Sequence, residues 1–177
     1  MKPLIFLWGM PGSGKSTLGK QLAKKIAYDF CDLDDFIEKE SGETIAKIFA
    51  TGGESHFRSL EKTLLEKLLD KKRLIIACGG GTPLHHNMDR LMLDAGTVIY
   101  LSVDAGMLCA RLKNSKQVRP LLESTKEGES LLEKIEKLFD QRKPIYEQAH
   151  LHFDLNDSVQ RVSDLVTLLQ KNSHDNT

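Results

Sequence analysis

Short apolar runs alternate along the chain with longer stretches whose apolar residues fall three and four apart. The runs Leu4–Trp8, Phe30–Leu33, Leu74–Cys78, Val98–Leu101 and Leu151–Leu155 have the length of strands. Between the second and third, Leu60, Leu64, Leu65 and Leu68 mark one helical face. Such alternation predicts an α/β domain with a mostly parallel sheet covered on both faces. Ser55 and Ser158 are expected as helix caps, the second ahead of Val159, Val162, Leu165, Val166 and Leu169. Two segments break the alternation. Residues 34–70 carry two short helical patterns and one long one, with no strand among them. Residues 113–130 are polar and aperiodic, which predicts a functional insert of the lid type. The polar stretch 171–177 is expected to be a disordered tail.

The chain has 177 residues, which favours a single domain. Lys and Arg number 25, as do Asp and Glu, for a net charge of +0. That balance argues against a general nucleic-acid binder or a polybasic membrane binder. No apolar run approaches the ~20 residues of a membrane helix. Leu4–Trp8 also falls short of the ~7–15 residues of a signal-peptide core. Cys31, Cys78 and Cys109 form no C-x-x-C pair, which fits a reducing compartment. A cytoplasmic enzyme or binding domain is the expectation.

The segment Gly9-Met10-Pro11-Gly12-Ser13-Gly14-Lys15-Ser16-Thr17 follows the first apolar run and opens a helical stretch. It matches G-x-x-x-x-G-K-[ST] in the setting that motif requires. Glycines there let backbone N–H groups converge on phosphate oxygens, and the helix N-terminus adds the positive end of its dipole. Lys15 then reaches the β- and γ-phosphates, and the Ser16 hydroxyl binds Mg²⁺. The third run ends in Cys78 and passes into Gly79-Gly80-Gly81, so it carries no carboxylate to support the metal. Asp32, Asp34 and Asp35 lie just past the second run. If the strand persists, alternation puts Asp32 and Asp34 on one side, near the phosphate loop in the crevice at the C-terminal strand ends. Asp35 by itself suits the first turn of a helix. Gly79, Gly80 and Gly81 offer bare backbone N–H groups to the same crevice.

An acceptor pocket needs further groups. Arg58 and Glu61 are spaced i, i+3 and share a helix face; Arg119 lies in the polar insert and Arg142 in Gln141-Arg142-Lys143-Pro144-Ile145-Tyr146. Other residues carry less. His85 and His86 are adjacent and point apart, so they read as surface residues rather than a metal pair. Nothing in its surroundings asks His56 to titrate. Trp8 is expected to pack at a strand end, and the three cysteines to fill strands and a helix.

Together these residues resemble the shikimate kinase family, in order from Leu4 to about Leu155. The marks are the loop Gly9–Thr17, Asp32-Leu33-Asp34, Gly53-Glu54 with Phe57-Arg58 and Glu61, Gly79-Gly80-Gly81, Val118-Arg119-Pro120-Leu121-Leu122, and Arg142 before Pro144-Ile145-Tyr146. The phosphate loop is shared by many families, whereas the ordered set is much more specific. The resemblance implies a three-layer P-loop kinase fold of the α/β class. It has a five-stranded parallel sheet flanked by helices, a substrate-binding helical insert at about 34–70 and a lid at about 113–130. It implies ATP-dependent phosphorylation of the shikimate 3-hydroxyl, giving shikimate 3-phosphate and ADP on the route to chorismate and the aromatic amino acids. By that resemblance Asp34 contacts the reacting hydroxyl as its candidate base, and Arg58, Glu61, Arg142 and Gly79–Gly81 hold shikimate. Gly12, Ser13, Gly14, Lys15, Ser16, Thr17, Arg111 and Arg119 hold ATP. Ser16 and Asp32 serve Mg²⁺, Asp32 directly or through water, and Lys15 and Arg119 stabilise the transferring group. Either Arg111 or Leu112 occupies the adenine-facing position, and the loop Asp154-Leu155-Asn156-Asp157-Ser158 lacks the Arg of some members. A monomer is expected, since both pockets fit in one chain.

Two other readings compete. A gluconate or nucleoside-monophosphate kinase would leave the Arg-Pro-Leu-Leu segment unexplained, and the latter would usually need more arginines for an acceptor phosphate. A nucleotide-binding regulator without turnover would not need Asp34, Arg58 and Arg119 as a set.

Overall fold

The structure, a computed structural model, describes residues 3–113, 130–156 and 161–175. Five strands form one sheet: β1 (Leu4–Trp8), β2 (Asp29–Asp32), β3 (Leu74–Ala77), β4 (Thr97–Ser102) and β5 (Leu151–Asp154). Their spatial order is β2-β3-β1-β4-β5 and every pairing is parallel, as the alternating pattern predicts. Each strand lies within one residue of its expected bounds. β1 and β3 are buried at every position and β4 at all but its last, so they have no polar face; helices cover both sides. The edge strands β2 and β5 are more exposed.

The helices are α1 (Lys15–Ile26), α2 (Leu33–Ser41), α3 (Ile45–Leu68), α4 (Met88–Ala95), α5 (Ala105–Lys113), α6 (Leu131–Tyr146) and α7 (Arg161–Asp175), with a 3₁₀ turn at Thr82–Leu84. The chain leaves β1 toward β3 and β2 on one side, and β4 and β5 lie on the other. The crevice at the C-terminal end of β1 therefore sits where the strand order reverses, the usual ligand position in an open parallel sheet.

Local chemistry sets the helix ends. Gly14, at φ 96°, begins α1, and Ala27, at φ 55°, ends it. The Asp32 side chain caps α2 by accepting from Asp34 N at 3.1 Å. Thr44 caps α3, accepting from Lys47 N at 3.3 Å. Ser130 and Glu133 form a reciprocal capping box on α6.

Three expectations change. Ser55 is no cap but lies inside α3; Gly53, at φ 71° and ψ −177°, breaks that helix just before it. A non-glycine residue is strained in that conformation, so the glycine decides where the segment bearing Arg58 and Glu61 turns. Asp32 and Asp34 do not alternate along one strand, because β2 ends at Asp32 and Asp34 lies in the first turn of α2. The C-terminal helix continues to Asp175, five residues into the expected tail, since extending a formed helix costs little. The 34–70 insert is helical as expected. Ser158 and residues 114–129 of the expected lid lie outside the described residues.

Candidate active site

A cleft of about 260 Å³ opens at the crevice, lined by Gly12, Gly14, Lys15, Ser16, Thr17, Asp32, Asp34, Ala77, Cys78, Gly79 and Gly80. It joins the phosphate loop, the end of β2 and the glycine turn after β3. The loop holds Gly12 at φ 82° and Gly14 at φ 96°, where a side chain would be strained. Lys15 folds back over the loop, its Nζ donating to Gly9 O at 2.9 Å and Met10 O at 3.0 Å. Ser16 Oγ donates to Asp32 Oδ2 at 2.5 Å, while Asp32 Oδ1 serves the α2 cap. The two residues assigned to the metal are thus brought together, and Asp34, two residues past the strand end in the first turn of α2, lines the same cleft.

The three glycines each approach a different functional group. A Cβ on Gly79 would stand 3.2 Å from Asp34 Oδ1. One on Gly80 would stand 2.8 Å from both Arg142 Nη1 and Pro11 Cδ. One on Gly81 would stand 2.5 Å from Arg58 Nη2. Bare backbone is what lets the phosphate loop, α3 and α6 converge on this turn.

Arg58 and Arg142 come from different helices and are both buried, at 4% and 5% exposure. Arg58 donates from Nη1 to Glu61 Oε2 at 2.7 Å, and from Nε and Nη2 to Glu54 Oε1 at 3.3 and 3.1 Å. Glu61 is fully buried, and its other oxygen accepts from Thr82 Oγ1 at 2.5 Å. Glu61 therefore holds Arg58 rather than facing the cleft. Among the described residues, Arg142 Nη1 is buried without a hydrogen-bond partner. A buried guanidinium N–H left unpaired is costly, and an anionic ligand beside Gly80 would satisfy it.

Arg111 donates to Ser13 O at 3.3 Å and lies 3.5 Å from Gly12 O, while Leu112 packs against Gly12. Both candidates for the adenine-facing position therefore border the phosphate loop. Burial pulls the Arg111 guanidinium below its usual range, with Arg161 adding to the effect. Arg119 lies outside the described residues.

The remaining expectations concern packing. Trp8 is fully buried, its Nε1 donating to Met92 Sδ at 3.4 Å. Cys78 and Cys109 are buried and Cys31 half-buried. Burial pushes the Cys78 thiol well up, so it stays neutral beneath the cleft. His85 is partly exposed, 3.7 Å from Glu54, and no cluster of three or more metal-ligating side chains occurs among the described residues. Glu54, Thr82 and Tyr146 reach the site without having been assigned a role from sequence. Glu54 belongs to Gly53-Glu54 and Tyr146 to Pro144-Ile145-Tyr146, both among the marks of the family resemblance, and Thr82 directly follows the triple glycine.

The family model for shikimate kinase matches residues 11–171. The chain belongs to the shikimate kinase family. A shikimate kinase of Persephonella marina is 42% identical over 147 residues, covering 83% of this chain and 85% of that one. One from Bacteroides fragilis is 37% identical over 167 residues, covering 94% and 92%. The crystal structure of shikimate kinase from Bacteroides thetaiotaomicron superposes with a TM-score of 0.85 at 33% identity, covering 97% of this chain and 98% of that one. That of the Acinetobacter baumannii shikimate kinase in complex with shikimate gives 0.88 at 32% identity, covering 97% and 95%. A gluconokinase from Sinorhizobium meliloti has a TM-score of 0.66 at 14% identity, a likeness of fold alone. Family membership makes this chain an ATP-dependent kinase and sets aside the gluconate kinase, nucleoside-monophosphate kinase and regulator readings.

Proposed function

We propose that this protein transfers the γ-phosphoryl group of ATP to the 3-hydroxyl of shikimate, giving shikimate 3-phosphate and ADP in the biosynthesis of chorismate and the aromatic amino acids. One observation carries the reading. The cleft beside the phosphate loop reaches Gly79 and Gly80, and the same glycine turn lies against two buried arginines on separate helices, Arg142 at Gly80 and Arg58 at Gly81. Arg142 has a buried Nη1 that lacks a hydrogen-bond partner among the described residues. A carboxylate-bearing polyol suits that pairing of arginines with an aspartate.

The family resemblance, together with the cleft, supports the following roles. Gly12, Ser13, Gly14, Lys15, Ser16 and Thr17 cradle the phosphates, with Lys15 leaving the loop carbonyls for phosphate oxygens. Asp34 orients the acceptor hydroxyl and takes its proton. Arg58 and Arg142 grip the acceptor carboxylate, with Gly79–Gly81 contributing backbone N–H groups. Arg119 adds positive charge at the transferring group from the lid, and Arg111 borders the nucleotide. Ser16 and Asp32 fit Mg²⁺, a hard cation that takes one or two protein oxygens and completes its shell with phosphates and water. When bound, it neutralises charge on the β- and γ-phosphates.

The enzyme acts as a cytoplasmic monomer without nucleic-acid or membrane partners. Balanced charge, three free cysteines and two pockets in one chain support this reading. No helix among the described residues is long and apolar enough to cross a membrane. Coupled ADP release with Mg²⁺-ATP tests the function: turnover should require shikimate and not respond to gluconate. Tight ATP binding with no shikimate-dependent ADP release would reject it.

A further inference from the structure

We propose that Thr82 is a positioning residue for acceptor binding: it occupies one oxygen of Glu61, so that Glu61 grips Arg58 with the other alone. The inference rests on the reading of Arg58 as a contact of the acceptor carboxylate. A guanidinium has five N–H donors. Glu54 takes one from Nε and one from Nη2, and Glu61 takes one from Nη1. One N–H on each of Nη1 and Nη2 then remains for a ligand.

The distribution depends on Thr82. Thr82 and Glu61 are both fully buried, and the hydroxyl donates to Glu61 Oε1 at 2.5 Å. Its own place is fixed by the 3₁₀ turn, in which Thr82 N donates to Gly79 O at 3.1 Å and Leu84 N to Gly81 O at 3.0 Å. Without the hydroxyl, a buried carboxylate oxygen loses a donor, and such an oxygen is costly to leave unpaired. The nearest remedy is rotation of Glu61 into a two-oxygen grip on Arg58, the geometry that guanidinium and carboxylate favour. That grip consumes an N–H the acceptor needs. It also turns a guanidinium that has no free space on one side, since Gly81 stands against Nη2. Thr82 thereby couples the glycine turn to the orientation of the arginine fork.

Steady-state kinetics on the full chain test this, with Thr82→Val, Thr82→Ser and Arg58→Ala compared with wild type. Thr82→Val should raise the KM for shikimate about tenfold and leave that for ATP within about twofold, as loss of one charge-assisted contact implies. Thr82→Ser keeps the hydroxyl and should stay within about twofold of wild type for both. If Thr82→Val leaves the shikimate KM unchanged while Arg58→Ala raises it, the role of Thr82 is overturned and the reading of Arg58 stands. If Arg58→Ala also leaves it unchanged, the acceptor reading fails and the inference with it. Equal defects in the Ser and Val variants, or a parallel rise in both KM values, would assign the effect to packing and overturn the proposal. Should Thr82→Val not fold, calorimetric titration of shikimate into Thr82→Ala and Thr82→Ser decides between the same outcomes.

Discussion

The Tyr146 hydroxyl donates a 2.5 Å hydrogen bond to the Gly80 carbonyl, joining residues 66 apart in sequence. Arg142, one helical turn earlier on α6, lies beside the same hydroxyl. The bond anchors the glycine turn to α6, with Tyr146 packed on Tyr100 at a ring distance of 5.1 Å.

Tyr146→Phe keeps the ring and strands the Gly80 carbonyl, so unfolding should cost about 1–3 kcal/mol less. The alkaline behaviour gives a second readout. Burial pushes the Tyr146 phenol up to about 12, from an ordinary value of 10.0. A raised value favours the folded state fully below the ordinary value, and that advantage is lost as pH rises from about 10 towards 12. Denaturant melts across that window should show a shallower decline in Tyr146→Phe than in wild type. Tyr100, also raised to about 12 by burial, contributes equally to both.

Asp34→Asn should lower turnover by about 10²–10⁴-fold, the usual contribution of a general base, while ATP binding changes little. Turnover within about threefold of wild type would remove Asp34 from the proton transfer.

Asp32 has two duties that separate by substitution, since Oδ1 caps α2 and Oδ2 accepts from Ser16. Asp32→Ala should lose about 0.5–2 kcal/mol of stability with the cap, whereas Asp32→Asn caps nearly as well. Both should need more Mg²⁺ for half-maximal activity. An unchanged Mg²⁺ requirement in Asp32→Asn would show that its charge does not serve the metal.

The glycine turn should respond position by position. Gly81→Ala places a methyl group 2.5 Å from Arg58 Nη2 and should raise the shikimate KM selectively. Gly80→Ala presses on both Arg142 and Pro11, so shikimate and ATP binding should both weaken. Separate titration of the two ligands distinguishes them; identical patterns would mean that the turn simply shifts as a body.

Features that depend on neighbours along the chain can be read from the residues alone. Five strands, the phosphate loop and the helical character of 34–70 were legible because alternation, helical spacing and glycine spacing are local constraints. The ordered motifs likewise carried the family. Boundaries were less legible where two local signals competed. Asp32 both ends β2 and caps α2, so the strand stops there instead of running on to Asp34, whose N–H donates to the Asp32 side chain. Ser55 looked like a helix start, yet the backbone of Gly53 placed the break two residues earlier. Which distant groups meet is set by sheet pairing and packing. Parallel pairing of β3 between β1 and β2 sets Gly79–Gly81 beside the phosphate loop and Asp34, and packing then brings α3 and α6 onto the turn from separate directions. Thr82 with Glu61, fully buried, and Tyr146 with Gly80, partly buried, are hydrogen bonds between groups far apart in the chain. No periodicity announces such pairs. Partners are fixed by strand register and the need to satisfy each buried polar atom once the core has closed.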